Sequence, residues 1–334
     1  MLVWLVLYFA IGVVGTWLAR RYVLQRELID HPGERRSHET PTPRGGGIAI
    51  VIALLVASCV LGWRQPQQIV LILAFVVGLS LVAGIGLLDD HRPLSPWLRL
   101  TVQGIAAGIF ALGVAGTWGD LLLAVVAFFA VMVLTNVWNF MDGINGIAAS
   151  QAALVATGLS FVVGGVWSWL ALALVAACAG FLPFNFPRAR IFLGDVGSGA
   201  LGFALAALLV VAFAGRPLSW PLLLLPLSAF LVDSGLTLLR RVLRGERWWA
   251  AHAQHAYQRW AARLGTHVTV TLAYAGWTIL ALLLAGWLRP ATVGQITGFG
   301  LAWLVATVAA WGWLQYSCSP EPGESEAKLK KDKE

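Results

Sequence analysis

Apolar residues run through this chain in long blocks, with the polar positions collected into the gaps between them. Eleven blocks stand out, at about residues 2–19, 46–63, 68–88, 98–116, 120–137, 147–164, 166–184, 198–214, 218–239, 268–288 and 293–315. Each is close to the ~20 residues that an α-helix needs to cross the hydrocarbon core of a bilayer. The pattern predicts an all-α polytopic membrane protein of about 11 transmembrane helices. Polar loops fall near 20–45, 88–98, 136–147, 185–197 and 240–267, and no polar linker or internal repeat divides the chain. Residues 1–318 therefore read as one transmembrane domain. Residues 319–334 are polar and charged, have nothing to bury, and are expected to form a disordered tail.

Charge gives the blocks a direction. Of 23 Lys and Arg residues, 20 lie in or at the edge of alternate gaps, those after the first, third, fifth, seventh, ninth and eleventh blocks, which hold 6, 2, 0, 2, 6 and 4 when Arg99, at the start of the fourth block, is counted with the gap before it. The opposite gaps hold only Arg64, Arg216 and Arg289. By the positive-inside rule the N-terminus is expected outside and the C-terminus, with the basic loops, on the cytoplasmic side. A chain that is 59% hydrophobic and 12% charged, with mean hydropathy +0.78, is no ordinary soluble domain. The net charge of +7 is this topology signal plus a lysine-rich tail, so nucleic-acid binding is not expected. Cys59 and Cys178 lie inside blocks and Cys318 lies on the cytoplasmic side, so no disulfide is expected. The first block lacks a basic start and a small-residue cleavage site, unlike a signal peptide. Trp63, Trp118, Trp138, Trp220, Trp287 and Trp313 mark block ends, as anchors to membrane lipids do. A homodimer is compatible with the pattern, its contact face being one apolar surface among many.

Of 16 carboxylates, only Asp120 falls on the outer side and Asp233 falls inside a block; the other 14 face the cytoplasm. Acidic residues contribute little to orientation, so that side has another use for them. Asp89 and Asp90 are unfavourable neighbours unless a cation or proton lies between them. Asn136, Asn139 and Asp142 are spaced to share a face at a helix end, beside glycines that let a ligand approach closely. The run Gly194-Asp195-Val-Gly197-Ser198, entering a helix, is expected to offer free N–H groups to a phosphate, and Asp195 a hard oxygen to Mg²⁺. In the longest loop, His252, His255, Arg259 and Arg263 are expected along one side of a short helix ended by Gly265, forming a basic lip over an anion. The alternative for that helix is a lipid-surface anchor through Trp248, Trp249 and Trp260. Arg36 and His38, ahead of the Arg44-Gly45-Gly46-Gly47 string, are further candidates for substrate binding. Asp233 reads equally as a functional group or as the partner of Arg240 or Arg241.

Taken in order, Arg44-Gly-Gly-Gly, Asp89-Asp90, Asn136-x-x-Asn-Phe-Met-Asp-Gly-Ile, Phe192-Leu-Gly-Asp-Val-Gly-Ser-Gly and the histidine loop resemble the polyprenyl-phosphate N-acetylhexosamine 1-phosphate transferases, glycosyltransferase family 4. The resemblance covers about residues 20–270, and the His252-x-x-His255-Ala-Tyr-Gln form is most similar to the O-antigen-initiating branch. It implies transfer of a sugar 1-phosphate from a UDP-N-acetyl sugar to undecaprenyl phosphate, releasing UMP. It also implies a bacterial inner (plasma) membrane, Mg²⁺ or Mn²⁺ at Asp195 with Asn136 close by, catalysis by Asp89, Asp90 and Asp142, and contacts to the nucleotide sugar from Asn185, His252 and His255; Arg36, His38, Asn139 and Arg259 stand beside these as candidate substrate-binding residues. UDP-N-acetylglucosamine and an N-acetylfucosamine-type donor are not separated by these motifs. One departure is Asn145, where many relatives carry Asp. A secondary transporter for an anionic solute is the alternative from another class; it would place polar groups near mid-membrane in an inverted repeat.

Overall fold

The computed structural model describes residues 2–26, 29–30, 41–215, 220–247, 249–250 and 252–318. Arg36, His38, Arg216, Trp248 and the tail 319–334 lie outside the described residues. The helices, in order, are α1 (Leu2–Gln25), α2 (Ile48–Arg64), α3 (Ile69–His91), α4 (Pro96–Trp118), α5 (Leu121–Phe140), α6 (Ile147–Val163), α7 (Trp167–Asn185), α8 (Gly194–Gly215), α9 (Trp220–Leu224), α10 (Ser228–Leu243), α11 (Ala256–Leu264), α12 (His267–Trp287) and α13 (Val293–Ser317). Among the described residues the only strand pairing is a two-residue antiparallel ladder, β1 (Ile29–Asp30) with β2 (Thr42–Pro43). Nine spans among the described residues, with α9 and α10 counted together, are long and apolar enough to cross a membrane. The apolar helices α2 and α6, of 17 residues each, fall on two further blocks. This is an all-α, multi-pass membrane protein.

Local sequence explains most boundaries. Ser95 caps α4 by accepting from Leu98 N at 3.2 Å, with Pro96 in the first turn where its missing N–H costs nothing. Asp120 caps α5 through Leu123 N at 2.9 Å, and Gly119, at φ 68°, ends α4 in the left-handed conformation. The ninth block, expected as one helix, is broken: α9 is five residues long and a 3₁₀ turn at Leu225–Leu227 separates it from α10. Pro226 lacks the N–H that a continuous helix would need there.

α8 forms the centre, buried over 89% of its apolar window and packed against α3, α5 and α6. Lipid tails are as apolar as leucine, so membrane helices associate through close backbone packing at small residues. A Cβ on Gly202 of α8 would lie 2.3 Å from the Leu134 carbonyl oxygen of α5. Likewise a Cβ on Gly12 of α1 would lie 2.5 Å from the Ala177 oxygen of α7. Thr16, Ser58 and Ser234 return their hydroxyl protons to the carbonyl one turn back, at 2.6–2.7 Å, so no buried donor is stranded there. The C-terminal ends of α3 and α5 and the N-terminal end of α8 meet at one end of this bundle, and the acidic motifs ride on those ends.

Candidate active site

Asp89 and Asp90 are adjacent on the last turn of α3 but serve different partners. Asp90, 5% exposed, accepts from Asp195 N at 3.0 Å and Val196 N at 3.1 Å. It is the cap of α8, supplied from another helix, and its negative charge suits that helix's positive end. Gly86, one turn earlier, permits the contact, because a Cβ there would lie 2.4 Å from the Asp195 carbonyl oxygen. The expectation of free N–H groups at the start of α8 is thereby corrected at Asp195 and Val196: Asp90 already holds them. The glycine triplet is also stitched rather than open. Gly46 N and Gly47 N donate to Phe192 O at 2.9 Å and Leu193 O at 2.8 Å.

Asp89 accepts from Leu94 N at 2.6 Å and from Arg99 Nη1 at 2.8 Å. The same Nη1 lies 2.9 Å from Asp195 Oδ2, so one guanidinium nitrogen bridges two carboxylates. Asn139 donates to Asp195 Oδ1 at 2.8 Å and to Ser198 Oγ at 3.2 Å. Asn136 donates to Gln103 Oε1 at 2.9 Å and to Met132 O at 2.8 Å. Both amides spend their N–H groups this way, which turns their carbonyl oxygens into the available ends. Arg99, Gln103, Asn136, Asn139 and Asp195 line an open cleft of about 580 Å³, open solvent included, with apolar walls at Val82 and Ile85. Trp249 also lines it, its ring 5.9 Å from that of Trp97. Asp142 follows α5 directly. Burial first, then the Asp195 and Asp90 carboxylates, push its carboxyl well above the usual range.

The donor set fits a divalent cation. Arg99 Nη1 marks a point where oxygens of Asp89 and Asp195 already converge on positive charge, and Asn136 and Asn139 bring amide oxygens. Among the described residues no three His, Cys, Asp or Glu side chains form a complete cage. Mg²⁺ needs none, since it takes one or two carboxylates and fills its shell with water and substrate phosphate.

The histidine loop differs from expectation. α11 begins at Ala256, so His252 precedes it in non-helical backbone and His255 is its N-cap, in a capping box with Gln258. His255 is 2% exposed, with Nδ1 3.6 Å from Asp233 Oδ1 and its ring 4.9 Å from that of His252. Burial first, then His255, lowers His252 to about 4, so it is neutral near pH 7. Its Nδ1 faces Ala250 O at 3.2 Å and must carry the proton, which leaves Nε2 as an acceptor. His252 therefore offers a ligand no positive charge. Arg259 has Arg240 and Arg244 among its charged neighbours; burial first, then these two, lowers its pKa. Trp260 is partly buried against the core, while Trp249, which lines the cleft, is 41% exposed.

Asn185 is 4% exposed and ties loops together: it accepts from Gly146 N at 2.7 Å and donates to Ile191 O at 3.0 Å. Asn145 donates to Pro187 O at 3.2 Å, a bond for which Asp has no proton. Asp233 pairs with neither Arg240 nor Arg241, which donate to Gln315 Oε1 at 3.1 Å and Arg247 O at 2.8 Å. It caps α11 instead, accepting from Ala256 N at 2.9 Å and Tyr257 N at 3.1 Å. Sequence reasoning missed Arg99, Gln103 and Gly86. By charge alone Arg99 groups with the basic loops, whereas its place as a lone arginine inside the first turn of an apolar block is the signal that sets it apart.

Residues 72–213 match the family described as Glycosyl transferase family 4. The chain is 30% identical over 305 residues to the decaprenyl-phosphate N-acetylglucosaminephosphotransferase of Mycobacterium leprae, covering 76% of this chain and 74% of that one. It is 27% identical over 270 residues to a probable undecaprenyl-phosphate N-acetylglucosaminyl 1-phosphate transferase of Bacillus subtilis, covering 74% and 73%. A phospho-N-acetylmuramoyl-pentapeptide-transferase of a Synechococcus strain is 30% identical over 269 residues, covering 70% and 75%. The matched stretch contains Asp89, Asp90, Asp142 and Asp195, and the chain belongs to glycosyl transferase family 4.

Proposed function

We propose that this protein transfers an N-acetylhexosamine 1-phosphate from a UDP-sugar to a polyprenyl phosphate, undecaprenyl phosphate in the first instance, and releases UMP. The observation that carries the reading is the convergence of Asp89, Asp142, Asp195, Asn136, Asn139 and Arg99 at one end of the bundle. A lipid acceptor and a water-soluble donor would meet where helix ends reach the cytoplasm, and the basic loops support the cytoplasmic face, in this reading that of a bacterial inner membrane, for that end. An acidic cluster at helix ends, rather than at mid-span, favours the transferase over a transporter.

In the reaction, an oxygen of the acceptor phosphate forms a bond to the sugar-bearing phosphorus. The bond from that phosphorus to the oxygen bridging the two phosphates breaks, and its electron pair leaves with UMP. A phosphate monoester has a second pKa of about 6, so the acceptor is largely a dianion near neutral pH and direct attack needs no strong base. Both Asp90 oxygens are occupied in capping α8, which speaks against Asp90 as a covalent nucleophile. Mg²⁺ or Mn²⁺, held by Asp195 and Asp89 with Asn136, would offset the repulsion between the two anions and stabilise charge on the departing UMP. Asn139 orients Asp195, and Arg99 supplies fixed positive charge beside both carboxylates.

The relatives' names point to N-acetylglucosamine and N-acetylmuramoyl-pentapeptide as transferred groups. UDP-N-acetylglucosamine is thus the donor we put first, ahead of an N-acetylfucosamine-type sugar. The product would start a lipid-linked envelope polysaccharide; O-antigen remains one destination, on the strength of the His252-x-x-His255 form alone. The test is purified protein with Mg²⁺, undecaprenyl phosphate and a panel of UDP-sugars, scored by UMP release and lipid product. UMP release with UDP-N-acetylglucosamine that requires the lipid supports the reading. No lipid-dependent release with any UDP-sugar overturns it.

A further inference from the structure

The loop that carries Asp142 is fastened unevenly. Its later half is tied at several points: Gly146 N to Asn185 at 2.7 Å, Thr271 Oγ1 to Asn145 O at 2.8 Å, and Asn145 to Pro187 O. Ahead of Asp142, one side chain from elsewhere in the chain takes hold. Tyr257, fully buried on α11, donates its phenolic proton to Phe140 O at 3.0 Å. Phe140 ends α5, where carbonyls have no intrahelical partner, so this bond satisfies an orphan acceptor two residues before Asp142. On the other side of Asp142, a Cβ on Gly143 would lie 2.2 Å from the same phenolic oxygen. The phenol thus abuts the backbone on both flanks of Asp142.

Tyr257 is itself immobilised by a group outside the cleft. Asp233, 2% exposed, accepts from its backbone N–H at 3.1 Å and from Ala256 N at 2.9 Å. Tyr274 of α12 donates to Asp233 Oδ2 at 2.7 Å and sets its ring edge-on to that of Tyr257, centroids 6.4 Å apart. A charged carboxylate with its oxygens met by a helix start and a phenol is a rigid anchor.

We propose that Tyr257, fixed in place by Asp233 and Tyr274, is the positioning residue for Asp142, holding the backbone on both flanks of that carboxylate from a helix that belongs to a separate loop. The proposal rests on the transferase reading for its kinetic arm only. The test compares Tyr257→Phe with wild type by hydrogen–deuterium exchange and by steady-state kinetics with UDP-N-acetylglucosamine and undecaprenyl phosphate. Removing one oxygen leaves the ring to fill its site. Amides of 140–144 should exchange faster while those of α3 and α8 keep wild-type rates. The kcat should fall about tenfold, as expected when a reacting group is slightly misplaced, with the KM of both substrates within twofold of wild type. Unchanged exchange at 140–144 overturns the tether whether or not the protein is a transferase. Faster exchange with unchanged kcat overturns the positioning role, and faster exchange spread evenly through the bundle reduces Tyr257 to a packing residue.

Discussion

Asp195 is the residue on which the proposed chemistry most depends, because it touches Arg99, Asn139 and, through its backbone, Asp90. Asp195→Asn keeps the shape and the cap but removes a charge that a hard cation needs. Transfer should fall by on the order of a hundredfold or more, with the melting temperature little changed; wild-type turnover at ordinary Mg²⁺ would exclude it from the metal set. His252 gives a second prediction at this scale. In the unfolded chain it titrates near 6.5, whereas burial lowers it to about 4 in the fold. Between these values the unfolded state binds the extra proton. The stability from keeping His252 neutral is therefore complete above about pH 6.5 and lost as pH falls through about 4. His252→Gln should flatten the rise of melting temperature with pH across that window, and equal slopes in the two proteins would refute the assignment. The acidic residues and the Asn136–Asn139 row were legible in the sequence, since charge is conspicuous among apolar blocks. Their partners were not: nothing local to Asp90 says that it meets amides 105 residues away.

At the scale of elements, hydrophobic blocks located the helices to within a few residues, because helix length in a bilayer is set by its thickness. They could not announce the break before α10, where a single proline decides, nor that His252 stands ahead of α11. Close helix approach was equally hidden. Gly86 looks like any glycine of an apolar helix, yet α3 and α8 meet backbone to backbone at its Cα. Gly86→Ala should push the first turn of α8 away, weaken the Asp90 cap, and lower kcat at least tenfold. The loss of thermal stability should be about 1–3 kcal/mol, because the added methyl meets fixed backbone as well as weakening the cap. An alanine variant with wild-type kcat would show that the two ends need no such contact.

For the whole molecule, the 20-to-3 division of basic residues makes a claim about sidedness. In a cysteine-free background, cysteine at Gln67, exposed between α2 and α3, should react with an impermeant maleimide in intact cells. Cysteine at Ala262, exposed on α11, should react only after the membrane is opened. The reverse pattern would invert the orientation and move the proposed site to the outer face. The Asp90 bridge between α3 and α8 has a further consequence, in the order of synthesis. α3 leaves the ribosome well before the amides it will cap. When α8 enters the bilayer with two exposed N–H groups at its start, the carboxylate that receives them is already in place. Assembly of the candidate site is thus written into the direction of translation: the receptor for α8 is built first, and that helix docks onto it.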